Sequence, residues 1–103
     1  MEIKNLTPEV GTLSIEEGVY QYDLGTIPQN IPVTFILEIE NALINMTQYG
    51  CQSCTKGEIK NGGIHGKQTV TYDAQQYGEF RKPINIHLIN GQMIQLIFKG
   101  TTT

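Results

Sequence analysis

Pro83-Ile-Asn-Ile-His-Leu-Ile-Asn90-Gly91-Gln-Met-Ile-Gln-Leu-Ile-Phe-Lys99 is the stretch that decides the fold. Ile84, Ile86 and Leu88 alternate with Asn85 and His87. Beyond Asn90-Gly91, Ile94, Leu96 and Phe98 alternate with Gln95 and Lys99. A period of two with one apolar phase is how a half-buried strand is written. Asn-Gly between two such runs predicts a two-residue type I′ hairpin, because both central residues must reach positive φ. The expected pairing joins 83–89 to 92–99.

The same alternation extends outward through the chain. Val33-Thr-Phe-Ile-Leu-Glu-Ile-Glu40 puts Val33, Phe35, Leu37 and Ile39 on one face and Thr34, Glu38 and Glu40 on the other. Val70 and Tyr72 repeat the pattern between Thr69 and Thr71. Gly25, Pro28, Gly50, Gly57, Gly62-Gly63, Gly66 and Gly78 read as turns between the runs. No window carries a capped 3.6-residue pattern, so no helix is expected. Short strands at this spacing predict an all-β sandwich or barrel. In the first 17 residues, Ile3, Leu6, Val10, Leu13 and Ile15 are broken by Pro8 and Gly11. They read as an edge strand, or as an arm that pairs with a neighbouring chain.

Composition narrows the function classes. The 103 residues suit one domain, 1–103, and 39% hydrophobic with 17% charged residues describes a globular chain. A net charge of −3 argues against nucleic acid, whose binders carry a basic stripe. The longest nearly apolar run, Ile31–Leu37, falls far short of the roughly 20 residues of a membrane helix. The N-terminus has no basic segment followed by a signal-like apolar run. The expectation is intracellular synthesis without membrane insertion, which leaves the sequons at Asn5 and Asn45 without a glycan.

Candidate chemistry is sparse. Cys51-Gln-Ser-Cys54 can be a redox dithiol, half a zinc site, or a local disulfide. Tyr49-Gly50 before it and Thr55-Lys56-Gly57 after it read as loop, without the helix N-terminus that activates a redox cysteine. Zinc needs His65 and His87 as well, and His87 alternates outward with Asn85. Two loop cysteines, free or locally bridged, are the favoured reading, with no metal and no cofactor. Ile64-His-Gly-Lys-Gln-Thr69 echoes a phosphate loop but has Asn61 where that motif needs glycine and Gln68 where it needs Ser or Thr, so it reads as a turn. Glu16-Glu17 and Glu38/Glu40 read as solvated faces, and Asp23 and Asp73 as strand ends. No nucleophile elbow accompanies either histidine. A non-catalytic protein is expected. Phe35, Tyr72 and Phe98 share the core phase. Tyr49 and Tyr77 are candidate partner contacts in loops. Ile36, Ile89 and Ile97 break the polar rule and would form an apolar patch if their strands were neighbours.

Read in order, the blocks resemble a bacterial immunoglobulin-like family of unknown function, related to ASH or hydin-type domains and more distantly to major sperm protein. Tyr22-Asp-Leu-Gly-Thr-Ile-Pro28 is similar to its "(F/Y)DFGTV" opening, and Val33–Asn41 to its next strand. Cys51-Gln-Ser-Cys54-Thr55 resembles a "CGCT" loop with one residue inserted. Gly66-Lys-Gln-Thr-Val70-Thr-Tyr72-Asp73, Gly78-Glu-Phe80-Arg-Lys-Pro-Ile84-Asn-Ile86 and Leu96-Ile-Phe-Lys-Gly100 are similar to the last three blocks. The resemblance spans roughly residues 19–101. It implies a seven-to-eight-stranded antiparallel immunoglobulin-like sandwich and no catalysis. The 55–64 segment lacks the family's Pro-rich stretch, and the exported, lipid-anchored members have a signal that is not seen here. The expected role is a structural or protein-binding subunit of a larger assembly, such as a capsid decoration or tail accessory of a phage virion. The alternative is a soluble adaptor that holds a peptide or carbohydrate in its loops.

Overall fold

A computed structural model describes residues 2–103, so residue 1 of the expected N-terminal arm lies outside the described residues. Among the described residues there is no helix. Nine strands run in chain order: β1 (Ile3–Asn5), β2 (Thr12–Glu16), β3 (Val19–Ile27), β4 (Val33–Ile39), β5 (Ile44–Tyr49), β6 (Thr55–Gly62), β7 (His65–Tyr72), β8 (Gly78–Leu88) and β9 (Met93–Thr102). They form a four-stranded sheet, β1-β4-β7-β6, and a five-stranded sheet, β2-β3-β9-β8-β5. All pairs are antiparallel but one. β3 lies parallel to β9, which corrects the wholly antiparallel expectation, and the strand count exceeds the seven or eight expected.

The inward phases of both sheets meet in one core. Phe35 and Leu37 of β4, Val70 of β7, and Ile84, Ile86, Leu96 and Phe98 of the β8–β9 hairpin are all but sealed from solvent. Aromatic rings fill the centre where the sheets face each other. Tyr22 stacks on Phe35 at 4.2 Å, and Phe98 packs against Phe35, Tyr72 and Phe80. The core assignment of Phe35, Tyr72 and Phe98 agrees with their sequence phase.

Within residues 3–16, two short strands pair with this chain's own sheets. β1 edges one sheet against β4 and β2 edges the other against β3. The crossover between them is pinned by Tyr22, whose single hydroxyl proton has two acceptors in reach, Asn5 Oδ1 at 2.8 Å and the Thr7 carbonyl at 2.9 Å. Thr7 Oγ1 in turn accepts the Ile36 N–H at 3.1 Å. Burial raises the Tyr22 phenol above its ordinary pKa, partly offset by its hydrogen bonding with Thr7 and Asn5.

The Asn90-Gly91 turn differs from expectation. Register runs Ile84↔Leu96, Ile86↔Ile94 and His87↔Met93. A two-residue loop would place Ile89 opposite Gln92 and Ile84 opposite Ile97. The apolar faces of the two strands would then point to opposite sides of the sheet. Matching the core phases requires an odd loop. Gly91 N–H bonds to the Leu88 carbonyl and Leu88 N–H to the Gln92 carbonyl, and Gly91 alone takes positive φ, at 92°. The result is a type I turn closed by a glycine bulge. The two-residue turn with positive φ at both central residues occurs instead at Glu17-Gly18, between Glu16 and Val19.

Two further readings are corrected. Residues 55–62 form edge strand β6, not a loop, and Gly66–Thr69 lie inside β7, so the turn is confined to Gly63-Ile64. Asp23 sits within β3, just before a register shift against β9, and is not at a strand end.

Candidate functional site

The outer faces of the two sheets differ in charge. On β1-β4-β7-β6, Lys4 is paired with Glu40, and Glu38 stands opposite both Lys4 and Lys67. On the other sheet, charge gathers at one end, where Asp23 and Arg81 flank Lys99 across adjacent strands. The remaining half of β5, β8 and β9 presents Pro83, Asn85, His87, Met93, Gln95, Ile97, Met46 and Gln48. None of these is Asp, Glu, Lys or Arg. Register brings them together in rows: Met46–His87–Met93, Gln48–Asn85–Gln95 and Pro83–Ile97. Met46 and Met93 are 47% and 45% exposed, and Ile89 in the adjoining turn is 61% exposed. Depletion of charge with exposed Met and Ile is the composition of an interface core. This half-face is the candidate site.

Local sequence positions each group. β5 is an edge strand with a register shift between Ile44 and Met46, which turns Met46 outward opposite His87 while Ile44 stays in the core. His87 Nε2 lies 2.9 Å from Gln48 Oε1. The tautomer protonated at Nε2 donates to this amide oxygen and leaves the Nδ1 lone pair free.

The sequence-predicted contacts divide. Ile89 and Ile97 both lie on the β8–β9 hairpin, Ile97 within the site and Ile89 in the turn at its edge. Ile36 stands on the outer face of the opposite sheet, facing Thr69, so the three isoleucines form no common patch. β4 pairs with β1 and β7, and the thickness of the core separates Ile36 from β9. Tyr77 is 73% exposed in the β7–β8 connection, away from the half-face.

Tyr49 is committed to the interior instead of lying free in a loop. It ends β5, and its hydroxyl accepts a hydrogen bond from Gln68 Nε2 at 2.9 Å. Gln68, on β7, is fully buried, and its Oε1 accepts from Thr47 Oγ1 at 2.5 Å. Thr47, Tyr49 and Gln68 thus bridge the two sheets. A side chain at Gly57 would collide with the Tyr49 hydroxyl, so the close approach of β6 depends on the missing Cβ. Burial raises the Tyr49 pKa, and the Gln68 hydrogen bond pulls it partly back.

Cys51 and Cys54 are joined as a local disulfide in the β5–β6 crossover, where Cys54 is buried. Asp73 N–H bonds to the Cys54 carbonyl, fixing this loop beside the end of β7. His65 stands at the opposite end of β7, where its Nδ1 accepts from Asn41 N–H. Seven residue steps of about 3.3 Å separate the two ends, so His65 and the cysteines do not converge. Among the described residues no three His, Cys, Asp or Glu side chains gather in a metal-holding group.

Sequence reasoning placed Asn85, His87 and Gln95 on the outer phase but missed their companions Met46 and Gln48. The signal was the register of an unread strand. No family model and no curated protein matches the chain.

Proposed function

We propose that this chain is a non-catalytic, immunoglobulin-like module that docks onto a protein partner through the charge-free half of the β5–β8–β9 face. In this reading it serves as a small structural subunit of a larger assembly, such as a decoration or tail accessory of a phage particle. The strand orders support the immunoglobulin-like part. β1-β4-β7-β6 follows the A-B-E-D order of that architecture and β5-β8-β9 its C-F-G order, with β2 and the parallel β3 added beside the last strand. The ordered blocks over residues 19–101 point the same way.

One observation carries the docking part: eight contiguous outward residues lack formal charge, while the opposite face carries cross-strand charge pairs. Exposed charge is how a solvated sheet face protects itself from association. Its absence on one half-face marks the side meant to be covered. The test is sedimentation of a native particle preparation, with this chain quantified by mass spectrometry across the fractions. The expected result is co-sedimentation at a fixed ratio to a main subunit, lost in Gln95→Lys with the thermal midpoint unchanged. Recovery of the parent chain only at monomer size overturns the reading. Tyr77, 73% exposed, supports a second reading as a soluble adaptor, in which Tyr77→Ser and not Gln95→Lys releases a peptide or carbohydrate.

A further inference from the structure

Two thioethers and one imidazole stand side by side on the outer face of the larger sheet. His87 is the direct register partner of Met46 on one side and of Met93 on the other. Cross-strand partners have Cα atoms roughly 4.5–5.5 Å apart, and their side chains rise on the same face. Methionine is long, unbranched and flexible at χ3, so two flanking sulfurs can close on a point above the central ring. Both are about half exposed, which leaves the sulfurs open to an ion from solvent.

The second observation concerns the imidazole. A ligating histidine almost always donates its other ring N–H to an oxygen, which fixes tautomer and ring orientation. His87 is placed for that arrangement: Nε2 lies 2.9 Å from Gln48 Oε1, and the tautomer that donates there offers Nδ1 as the ligand atom. Thioethers are soft donors, and neutral imidazole is a borderline donor that also suits copper. Together they select a monovalent ion of the Cu(I) class over Mg(II) or Ca(II), which require oxygen. No carboxylate occupies the row to favour a harder ion.

We propose that Met46 Sδ, His87 Nδ1 and Met93 Sδ bind a single soft monovalent cation of the Cu(I) class, with Gln48 orienting the ring. The site stands on strand register and the His87–Gln48 bond and does not depend on the docking reading. Binding breaks no covalent bond and displaces only water, so no co-reactant is required.

Ag(I) is the probe, because it shares the ligand preference and leaves the Cys51–Cys54 disulfide oxidised. Methionine methyl and histidine ring signals are followed by NMR as Ag(I) is added to the full chain. Saturation at one equivalent is expected, with Met46, Met93 and His87 signals moving and Met1, the third methionine, serving as the internal reference. Met46→Leu, Met93→Leu and His87→Gln should each weaken binding at least tenfold, while Cys51→Ser with Cys54→Ser retains one equivalent. Zn(II) should leave the methyl signals in place. Shifts no larger than those of Met1 overturn the proposal. So does uptake unchanged in the double Met46→Leu, Met93→Leu variant, or uptake lost with the cysteines.

Discussion

Gln68→Leu isolates the polar bridge between the sheets. The carboxamide accepts from Thr47 Oγ1 at 2.5 Å and donates to the Tyr49 hydroxyl at 2.9 Å and the Thr69 carbonyl at 3.1 Å, with no exposure to solvent. Leucine fills similar volume and removes every one of these bonds. Counting only the two bonds to other side chains, at about 1 kcal/mol each, plus about 1 kcal/mol for the stranded Thr47 hydroxyl, gives a loss of about 3 kcal/mol. Apolar transfer of the leucine returns about 1 kcal/mol, leaving a net cost of about 2 kcal/mol. For a domain of this size that corresponds to a fall of roughly 8–16 °C in thermal midpoint. Thr47→Val alone should cost less, and the double variant should be more stable than the sum of the two predicts, with a coupling of about 1 kcal/mol. Spectrophotometric titration adds a readout that packing alone would not move. Without the Gln68 donor the Tyr49 phenol should titrate still higher than in the parent. A Gln68→Leu protein within about 0.5 kcal/mol of the parent, or additive with Thr47→Val, would refute the bridge.

Three other expectations follow from the same physics. Glu17 is held at a φ of 50° in a turn that favours Asn-Gly, so Glu17→Asn should raise stability by about 0.5–1 kcal/mol in urea unfolding; a loss would show that the turn is not as described. Phe98→Ala empties the ring position that packs against Phe35, Tyr72 and Phe80 and should cost about 3–5 kcal/mol by denaturant titration, and a cost under about 1 kcal/mol would contradict a sealed core. Tyr22, Tyr49 and Tyr72 all have pKa values raised by burial above the ordinary 10.0. Above that pH the unfolded chain binds fewer protons than the native one, so stability holds below about pH 10 and then declines as pH rises through the raised values. Thermal melts from pH 8 to 11 check this, and a midpoint that stays level to pH 11 would count against it.

The half-buried strands were legible because each carried one apolar phase. β4 and the β8–β9 hairpin could be read residue by residue, down to the inward Phe35 and Phe98. The edge strands could not. Thr55–Gly62 has Ile59 as its one large apolar residue, since a strand paired on one side need bury little, and its glycines imitate turns. Asn90-Gly91 misled for a different reason: the dipeptide serves both two- and three-residue hairpins, and only the phase of Ile84 against Leu96 distinguishes them. The parallel pairing of β3 with β9 joins segments about 75 residues apart and leaves no local mark. For the candidate site, the outward phase of Asn85, His87 and Gln95 was visible. Their grouping with Met46 and Gln48 required the β5 register, and the shift beside Asn45 hides it. Ile36 could be joined with Ile97 only on the condition that their strands were neighbours, because phase tells inside from outside but not one sheet from the other.

The parallel β3–β9 pair has a mechanical consequence. Tension reaching β3 from its Val19 end and β9 from its Thr102 end pulls the two strands along their common axis in opposite directions. Their hydrogen bonds then bear the load side by side and must yield together, whereas a strand peeled from its end gives them up one at a time. This pair therefore resists stretching along its strands better than prying at an edge.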